Sequence, residues 1–194
     1  MTSGAPVRDR VRSAVAGYSP QETPLDAQRE AAVLLLLHEL DGVEHLLFQV
    51  RSSTVRHHSG QISLPGGARS AGDATLLDTA LREVEEEIGV SRDHIEIFGR
   101  MDDSYARSSN YRIRPYVGAI ERGPRLFALD PREVDQLIEV PLPYLLSAES
   151  HGWHASDDDG NLEAAPAYIF GEHVIWGATW RILRQFLEVI EARP

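Results

Sequence analysis

A short acidic segment, residues 82–90, follows a glycine-rich loop at residues 64–67 and limits what this chain can form more than any other part of it. In a helix, residues three and four positions apart share a face, so Glu83, Glu86 and Glu87 come together on one side. Like charges at this spacing destabilise a helix by roughly a few tenths of a kcal/mol per pair. Carboxylate oxygens are the ligands that hard divalent cations such as Mg2+ prefer. The segment therefore predicts a metal site on one helix.

The apolar residues around this segment predict where the helix begins and ends. They recur at the four-three-four spacing of an amphipathic stripe: Leu77, Leu81, Val84 and Ile88. Asp73 or Thr75 can cap the N-terminus and Gly89 suits the C-terminal stop, which predicts a helix at about residues 74–88. The alternative is a solvated acidic face, as most charge runs on helices are. A solvated face needs neither the preceding Gly-Gly loop nor the Arg-Glu start, so the metal site is the favoured interpretation.

The loop and helix together resemble the Nudix box, the family pattern G-x5-E-x7-R-E-U-x-E-E-x-G-U, in which U is aliphatic. Gly67 opens the pattern, and residues 82–90 fill its second half without a mismatch. Two departures occur in the first half: Asp73 stands in place of the glutamate, and Arg82 comes one residue late. Both departures are familiar from one branch of the family, the coenzyme A pyrophosphatases, so they narrow the resemblance.

Residues 51–62, just upstream, resemble a second signature of that branch, R-S-x-x-L-R-x-H-x-G-Q-U. Gln49 stands where the branch usually has threonine, and Leu64 where it usually has phenylalanine; neither change is expected to touch the metal site. A weaker echo lies at residues 175–179, which are similar to the I-W-G-x-T start of the branch's last helix. The resemblance thus runs from about residue 46 to residue 90, with one outlying segment near the C-terminus.

A basic cluster precedes the glycine-rich loop in a chain whose formal net charge is -11. Arginine offers forked, charge-assisted hydrogen bonds to phosphate, and glycine allows a ligand to approach the backbone closely. The alternative is surface charge with histidines satisfied by their neighbours, which is the favoured interpretation for His57 alone. The predicted substrate-binding residues are Arg51, Arg56, His58, Gly66 and Gly67.

Length and composition are those of a globular enzyme. The chain has 194 residues, of which 42% are hydrophobic, enough for a substantial core. It has no cysteine, which excludes disulfides, a thiolate nucleophile and a cysteine-based zinc site. Its longest apolar stretch, residues 31–37, is too short to span a bilayer, and the N-terminus lacks the apolar region of a signal peptide. We expect a cytoplasmic protein that binds no membrane, and its acidity argues against nucleic-acid polymers as partners.

Hydrophobic patterns alternate between helix and strand along the chain. Residues 1–28 hold a short N-terminal helix, Val7–Ala16, and a proline-containing linker. A turn at Asp41 and Gly42 joins the first two strands into a hairpin. Strands are predicted at residues 31–37, 44–51, 95–101, 112–120 and 167–170. A last helix carries a stripe interpreted as core packing: Trp176, Trp180, Leu183, Leu187 and Ile190.

This layout fits the fold that the resemblance implies. The fold class is α/β, a Nudix-type α/β/α sandwich with a mixed β-sheet. A single domain is expected over residues 1–194, with the Nudix box at about residues 67–90.

Two further acidic segments have competing interpretations. Residues 157–163 imitate the start of an EF-hand loop, but Leu162 takes the required glycine position, so a solvated hairpin turn is favoured. Glu133 follows Pro131 in a loop-like stretch. It is either an additional carboxylate, which Nudix enzymes often recruit from a late loop, or an ordinary helix-start glutamate after proline. Both interpretations of Glu133 stay open.

The reaction follows from the chemistry of the acidic helix together with the resemblance. Carboxylates that hold Mg2+ or Mn2+ can neutralise a pyrophosphate and activate water for in-line attack on phosphorus, without a covalent enzyme intermediate. Glu83 and Glu87 are assigned as metal ligands, and Glu86 as a further ligand or the general base. Arg82 is assigned to orient a glutamate through a salt bridge.

The branch resemblance implies a small-molecule substrate, coenzyme A or its thioesters, cleaved to 3',5'-ADP and 4'-phosphopantetheine. Two alternatives remain. In the first alternative, the substrate is another nucleoside diphosphate derivative such as ADP-ribose or NADH. In the second, the chain is a ligand-sensing Nudix module that binds its ligand without cleaving it. Sensors tend to lose metal carboxylates, whereas all three glutamates are present here.

Overall fold

A computed structural model of the protein describes residues 6–22, 29–52, 61–106, 109–121, 127–158 and 161–192. Its helices are α1 Val7–Ala16, α2 Leu76–Ile88, α3 Leu142–Leu145 and α4 Gly177–Glu191, with 3-10 turns at Arg92–His94 and Ala148–Ser150. Its strands are β1 Arg29–Leu40, β2 Val43–Arg51, β3 Ile62–Ser63, β4 Gly66–Ala68, β5 Ile95–Arg100, β6 Ser104–Ala106, β7 Tyr111–Ile120, β8 Val134–Pro141, β9 His151–Asp158, β10 Asn161–Phe170 and β11 His173–Ile175.

Strand β1 lies at the centre of a mixed sheet that has eight strands within the described residues. It pairs antiparallel with β2 across the Asp41–Gly42 turn, and parallel with β7 from Arg29 to Leu37. Both turn residues have positive φ, 51° for Asp41 and 79° for Gly42, as a two-residue hairpin turn requires. The predicted hairpin is therefore confirmed.

The remaining strands extend the sheet around this core. Strands β3 and β8 both pair with β2, β4 pairs with β1, and β5 and β6 pair with β7. All of these pairs are antiparallel, so the β1–β7 pair makes the sheet a mixed one. A second sheet, of strands β9 to β11, is antiparallel throughout.

Helices cover both faces of the large sheet. Residues 34–37 of β1 are four consecutive leucines, all fully buried, as expected for a strand with a packed layer on each side. The even-numbered pair packs with Val84 and Ile88 of α2, whereas the odd-numbered pair packs with residues of α1 and α4. The predicted α/β/α sandwich with a mixed sheet is confirmed.

Helix α2 begins at Leu76 because Thr75 provides the N-cap. The Thr75 hydroxyl accepts a hydrogen bond from the Asp78 amide, and the Asp78 carboxylate accepts one from the Thr75 amide, which forms a capping box. Gly89 ends the helix in the left-handed conformation with φ 72°, as predicted. Of the two candidate caps, Thr75 is the cap, and Asp73 is available for another contact.

Several other sequence predictions can be compared with the structure. Helix α1 has the predicted bounds, and the acidic segment after Trp153 forms the β9–β10 hairpin rather than a calcium loop. Leu183, Leu187 and Ile190 of the predicted stripe lie in the core and Trp180 packs against it, as expected, whereas Trp176 precedes α4 and is not part of the core cluster. Within the described residues, no helix is long and apolar enough to cross a membrane. The single-domain assignment stays a prediction.

Candidate active site

Three carboxylates converge near the glycine-rich loop at residues 64–67. Glu83 and Glu87 project from α2, and Glu133 comes from the loop before β8. One oxygen from each lies within 4.8 Å of the other two. An all-oxygen group of this size suits a hard divalent cation, because Mg2+ and Mn2+ prefer carboxylate oxygen. The donor set therefore fits the cation that the sequence predicts.

Glu87 is the most buried member of the group, with 2% of its surface exposed. The side-chain amide of Gln49 donates to its Oε1 at 2.6 Å, and the backbone amide of Gly66 donates to its Oε2 at 2.8 Å. Burial raises the pKa of Glu87 to about 7, although both hydrogen bonds oppose the rise. A buried carboxylate that is costly to ionise is well suited to a bound cation, which supplies the missing positive charge.

Gly66 adopts a conformation that an L side chain rarely takes, with φ 143°. A Cβ atom at this position would meet the carbonyl oxygen of Ala32 at 2.3 Å and the Cα of Val33 at 2.6 Å. Glycine here therefore allows β4 to lie against β1 while its amide points at Glu87.

Gly67 makes room for Glu83. A Cβ atom on Gly67 would lie 2.6 Å from the carboxyl carbon of Glu83. Burial raises the pKa of Glu83, and the neighbouring Arg82 guanidinium opposes the rise. Both loop glycines thus support the carboxylates directly, in addition to the substrate contact that the sequence predicts for them.

Arg82 connects the loop to the acidic face of α2. Its Nε and Nη2 donate to the two oxygens of Asp73 at 2.9 and 3.0 Å, in a forked pair. Its Nη1 also lies 2.9 Å from Glu83 and 2.8 Å from Glu86. The hydrogen bond from Arg82 holds the pKa of the buried Asp73 carboxyl well below its usual range. Arg82 thus makes the salt bridge to a glutamate that its predicted orienting role requires.

Glu86 lies to one side of the three-carboxylate group. Its side chain is 58% exposed and pairs with Arg82. Within the described residues, the group of three close carboxylates comprises Glu83, Glu87 and Glu133, with Glu133 in the place expected for Glu86. The roles of Glu86 as a metal ligand or general base stay predictions.

Glu133 is held in place through its backbone. Its carbonyl oxygen accepts from the Ser52 amide at 2.9 Å, and its own amide donates to the carbonyl oxygen of Asp130 at 3.0 Å. A turn at residues 131–133 leads directly into β8, so Glu133 does not begin a helix. The helix-start interpretation is wrong, because pairing between β8 and β2 makes the following residues extended.

Gln49 overturns one expectation from the sequence. It was expected to lie clear of the metal site, yet it is fully buried and contacts Glu87. The expectation fails because a glutamine side chain is long enough to reach from β2 to the carboxylate on α2. Leu64, the other departure from the branch, is buried in the main core cluster.

A cleft of about 620 Å3 reaches the two glycines that contact Glu87 and Glu83, although none of the three carboxylates lines it. Arg51, Gly66 and Gly67 line it, as does Thr179 at the start of α4, where the C-terminal sequence echo lies. The predicted ligands Arg56 and His58 lie outside the described residues, as do His57 and Gly60.

Arg29 lines the same cleft and was missed by sequence reasoning. Its guanidinium stacks over the ring of Tyr111 at 4.5 Å, and within the described residues it has no carboxylate partner. The available signal was a cation placed immediately before a long apolar strand, which by itself does not distinguish a ligand contact from surface charge.

Comparisons with known proteins give matches over most of the chain. A family model described as NUDIX domain matches residues 27–158. The Nudix hydrolase NudL of Photorhabdus laumondii is 33% identical over 172 residues, covering 89% of this chain and 90% of that protein. The mitochondrial coenzyme A diphosphatase NUDT8 of Homo sapiens is 30% identical over 162 residues, covering 82% of this chain and 69% of that protein.

Solved structures share the fold. A MutT/nudix family protein from Enterococcus faecalis matches with a TM-score of 0.58 over 88% of this chain and 66% of that chain, at 18% identity. At this identity the likeness concerns the fold alone.

Proposed function

Because the chain belongs to the Nudix hydrolase family and is a pyrophosphohydrolase, we propose that it cleaves the pyrophosphate bond of coenzyme A or its thioesters, giving 3',5'-ADP and 4'-phosphopantetheine. Members of the family act on small nucleoside diphosphate derivatives and generally use divalent metal ions. The proposal adds the substrate and the choice of Mg2+ or Mn2+ to these family properties.

One observation carries the choice of substrate: the first residue of the upstream signature and the glycines at the start of the Nudix box line the same cleft. Arg51, which opens the signature, lines the cleft together with Gly66 and Gly67 of the box loop. Asp73, the departure shared with the same branch, anchors Arg82 beside the carboxylates. The similarity to the human coenzyme A diphosphatase supports the same substrate.

In the proposed mechanism, Glu83 and Glu87 would hold the divalent cation, with Glu133 beside them as a further ligand or the general base. When bound, Mg2+ or Mn2+ would supply positive charge for the pyrophosphate and activation of water. Arg82 keeps Glu83 in place through its salt bridge, while Asp73 fixes Arg82. Arg51 and Arg29 would bind phosphate oxygens from the cleft side.

The identity of the general base is tested by comparing two exposed glutamates. Glu133 sits within the carboxylate group, whereas Glu86 is turned toward Arg82. We expect Glu133→Gln to lower kcat by at least about 100-fold, the lower end of general-base contributions, and Glu86→Gln to lower it by less than about tenfold. Steady-state turnover of both variants, with the exposed Glu85→Gln as the control on the same helix, measures the difference. A larger loss in Glu86→Gln would assign the base role to Glu86.

Recognition of the extra phosphate is tested by charge removal in the cleft. Coenzyme A carries a 3'-phosphate that 3'-dephospho-coenzyme A lacks. If Arg51 or Arg29 binds it, the alanine variant should lose about 10-fold to 150-fold in kcat/KM on coenzyme A, equivalent to roughly 1.5–3 kcal/mol for a hydrogen bond to a charged group, and little on the dephospho form. Arg56→Ala and His58→Ala belong in the same series.

Arg184→Ala is the matched control, because Arg184 is an exposed arginine that does not line the cleft. Equal losses on both substrates in all four variants, at Arg29, Arg51, Arg56 and His58, would mean that the 3'-phosphate is bound elsewhere.

The substrate itself is tested with purified protein, Mg2+ or Mn2+, and a panel of coenzyme A, ADP-ribose and NADH, with products separated by chromatography. We expect the highest kcat/KM on coenzyme A or one of its thioesters. A higher kcat/KM on ADP-ribose or NADH would replace the proposed substrate, and binding without cleavage of any of the three would favour a ligand sensor.

Location and partners complete the proposal. We propose a cytoplasmic protein with a small-molecule substrate and no membrane partner, and the formal net charge of -11 argues against nucleic-acid polymers as partners. Cell fractionation followed by immunodetection tests the location.

A further inference from the structure

Gln49 is a fully buried polar residue at a fixed point of the sheet. It lies on β2 opposite Ser63 of β3 on one side and opposite Leu137 of β8 on the other. With hydrogen-bonded strands on both sides, its Cα has little freedom to move. Any group that its side chain binds is therefore held relative to the sheet.

The side chain of Gln49 reaches one carboxylate of the candidate metal site. Its Nε2 donates to Glu87 Oε1 at 2.6 Å, while the Gly66 amide donates to Glu87 Oε2 at 2.8 Å. Each oxygen of a carboxylate has two acceptor positions, so each keeps one for another ligand. The amide nitrogen faces Glu87, and this is the orientation that a carboxylate ionised by a bound cation requires, because the amide oxygen would repel it.

Only the nitrogen of the Gln49 side-chain amide is hydrogen-bonded within the described residues. Its Oε1 is buried and, within the described part of the chain, has no hydrogen-bond partner. A buried acceptor without a partner destabilises a fold, and each such case calls for an explanation. A methionine of similar length would fill the same space without an unpaired acceptor. Stability of the fold therefore does not explain a glutamine at this position.

We propose that Gln49 is a positioning residue that orients the Glu87 carboxylate for the divalent cation. The inference rests on the proposed function, in which Glu87 is a metal ligand. Two donors from two different strands, Gln49 on β2 and Gly66 on β4, fix both oxygens of Glu87 and thereby the direction of their free acceptor positions. Gln49 contacts Glu87 through its side chain, whereas Gly66 contacts it through its backbone amide. Substitution can therefore remove the Gln49 contact without disturbing the loop, but it cannot do so for the Gly66 contact.

The test measures metal binding and stability separately. Gln49→Met is expected to weaken Mn2+ binding by about 10-fold to 100-fold, the usual loss when a residue that orients a metal ligand is removed. Its melting temperature in EDTA should stay within a few degrees of the wild-type value, since the substitution removes one hydrogen bond and one unpaired acceptor together. The dissociation constant comes from the electron paramagnetic resonance signal of free Mn2+, without turnover.

Gln185→Met is the matched control. Gln185 is a glutamine like Gln49, but both ends of its amide are hydrogen-bonded. Its oxygen accepts from the Asp102 amide and its nitrogen donates to the Tyr18 hydroxyl. Its substitution should leave the Mn2+ dissociation constant unchanged. Gln49→Asn, which keeps the amide but is one methylene shorter, should weaken Mn2+ binding as Gln49→Met does, and it supplies the measurement if the methionine variant does not fold.

Unchanged Mn2+ affinity in both Gln49 variants, beside weakened affinity in Glu87→Gln, would overturn the inference and leave the metal site intact. A fall in melting temperature with unchanged Mn2+ affinity would also overturn it, because that is the signature of a structural role. Wild-type protein that binds no Mn2+ would overturn both the inference and the proposed function. Weakened Mn2+ binding in an enzyme that prefers ADP-ribose would support the inference and contradict only the proposed substrate.

Discussion

Glu87→Gln is expected to lower turnover by more than about 100-fold while the protein still folds. An amide has nearly the shape of the acid but is a poor ligand for Mg2+, so the variant loses a direct ligand rather than a supporting contact, whose removal typically costs about 10-fold to 100-fold. Glu83→Gln should behave in the same way. Turnover and thermal melts on the same samples measure both effects, and near wild-type turnover in Glu87→Gln would refute the metal assignment.

The stability of these samples should depend on pH in a defined direction. Burial raises the pKa of Glu87 to about 7 in the folded, metal-free protein, above its ordinary value of 4.5. The stabilisation by the neutral acid is therefore complete below about pH 4.5 and is lost as pH rises through about 7, by at most about 3 kcal/mol. Glu87→Gln has no such proton, so its melting temperature should fall less than that of the wild type between pH 5 and pH 8 when measured in EDTA.

Gly67→Ala is expected to abolish most activity through a single added methyl group. The new Cβ would lie 2.6 Å from the carboxyl carbon of Glu83, so the carboxylate must move away from the group. The fold should survive, because the clashing atoms are the end of a flexible side chain and Gly67 does not have the positive φ that makes Gly66 intolerant of a side chain. We expect a loss of about 100-fold in kcat/KM, as for displacement of a group by about 1 Å in a catalytic site.

Gly72→Ala is the matched control, because Gly72 lies in the turn that follows β4 and a Cβ there meets nothing within 4 Å. It should keep full activity. The double variant Gly67→Ala/Glu83→Gln should be hardly worse than Glu83→Gln alone, because both changes act through one carboxylate. Losses that simply multiply would mean that Gly67 acts elsewhere, for example on the substrate.

The helix α2 and the β1–β2 hairpin could be predicted because their signals are local. The apolar stripe of α2 and its terminal Gly89 lie within one contiguous segment, and the turn residues of the hairpin are adjacent. Strands β3 and β4 are two and three residues long, too short for any alternation to show in the sequence. They exist because β2 and β1 offer them hydrogen bonds.

The support of the carboxylates was less accessible to sequence reasoning. Periodicity places Glu87 on a face of α2, but it does not say which strand lies beneath that face. The contact with Gln49 joins residues 38 positions apart, and the approach of Glu133 depends on pairing between β8 and β2. Helical spacing and the family resemblance predict the carboxylates of α2 as metal ligands, while the residues that contact them required the three-dimensional structure.

The late origin of Glu133 and β8 bears on how the site forms during synthesis. The Nudix box ends at about residue 90, whereas β8, which brings Glu133 to the group, ends at Pro141. At roughly 5–20 residues per second, a ribosome needs about 3–10 s to make the intervening chain. Until Glu133 has been synthesised, the acidic face of α2 lacks its third carboxylate. We therefore expect the complete carboxylate group to become available to a cation only late in synthesis, after β1 to β7 have been made.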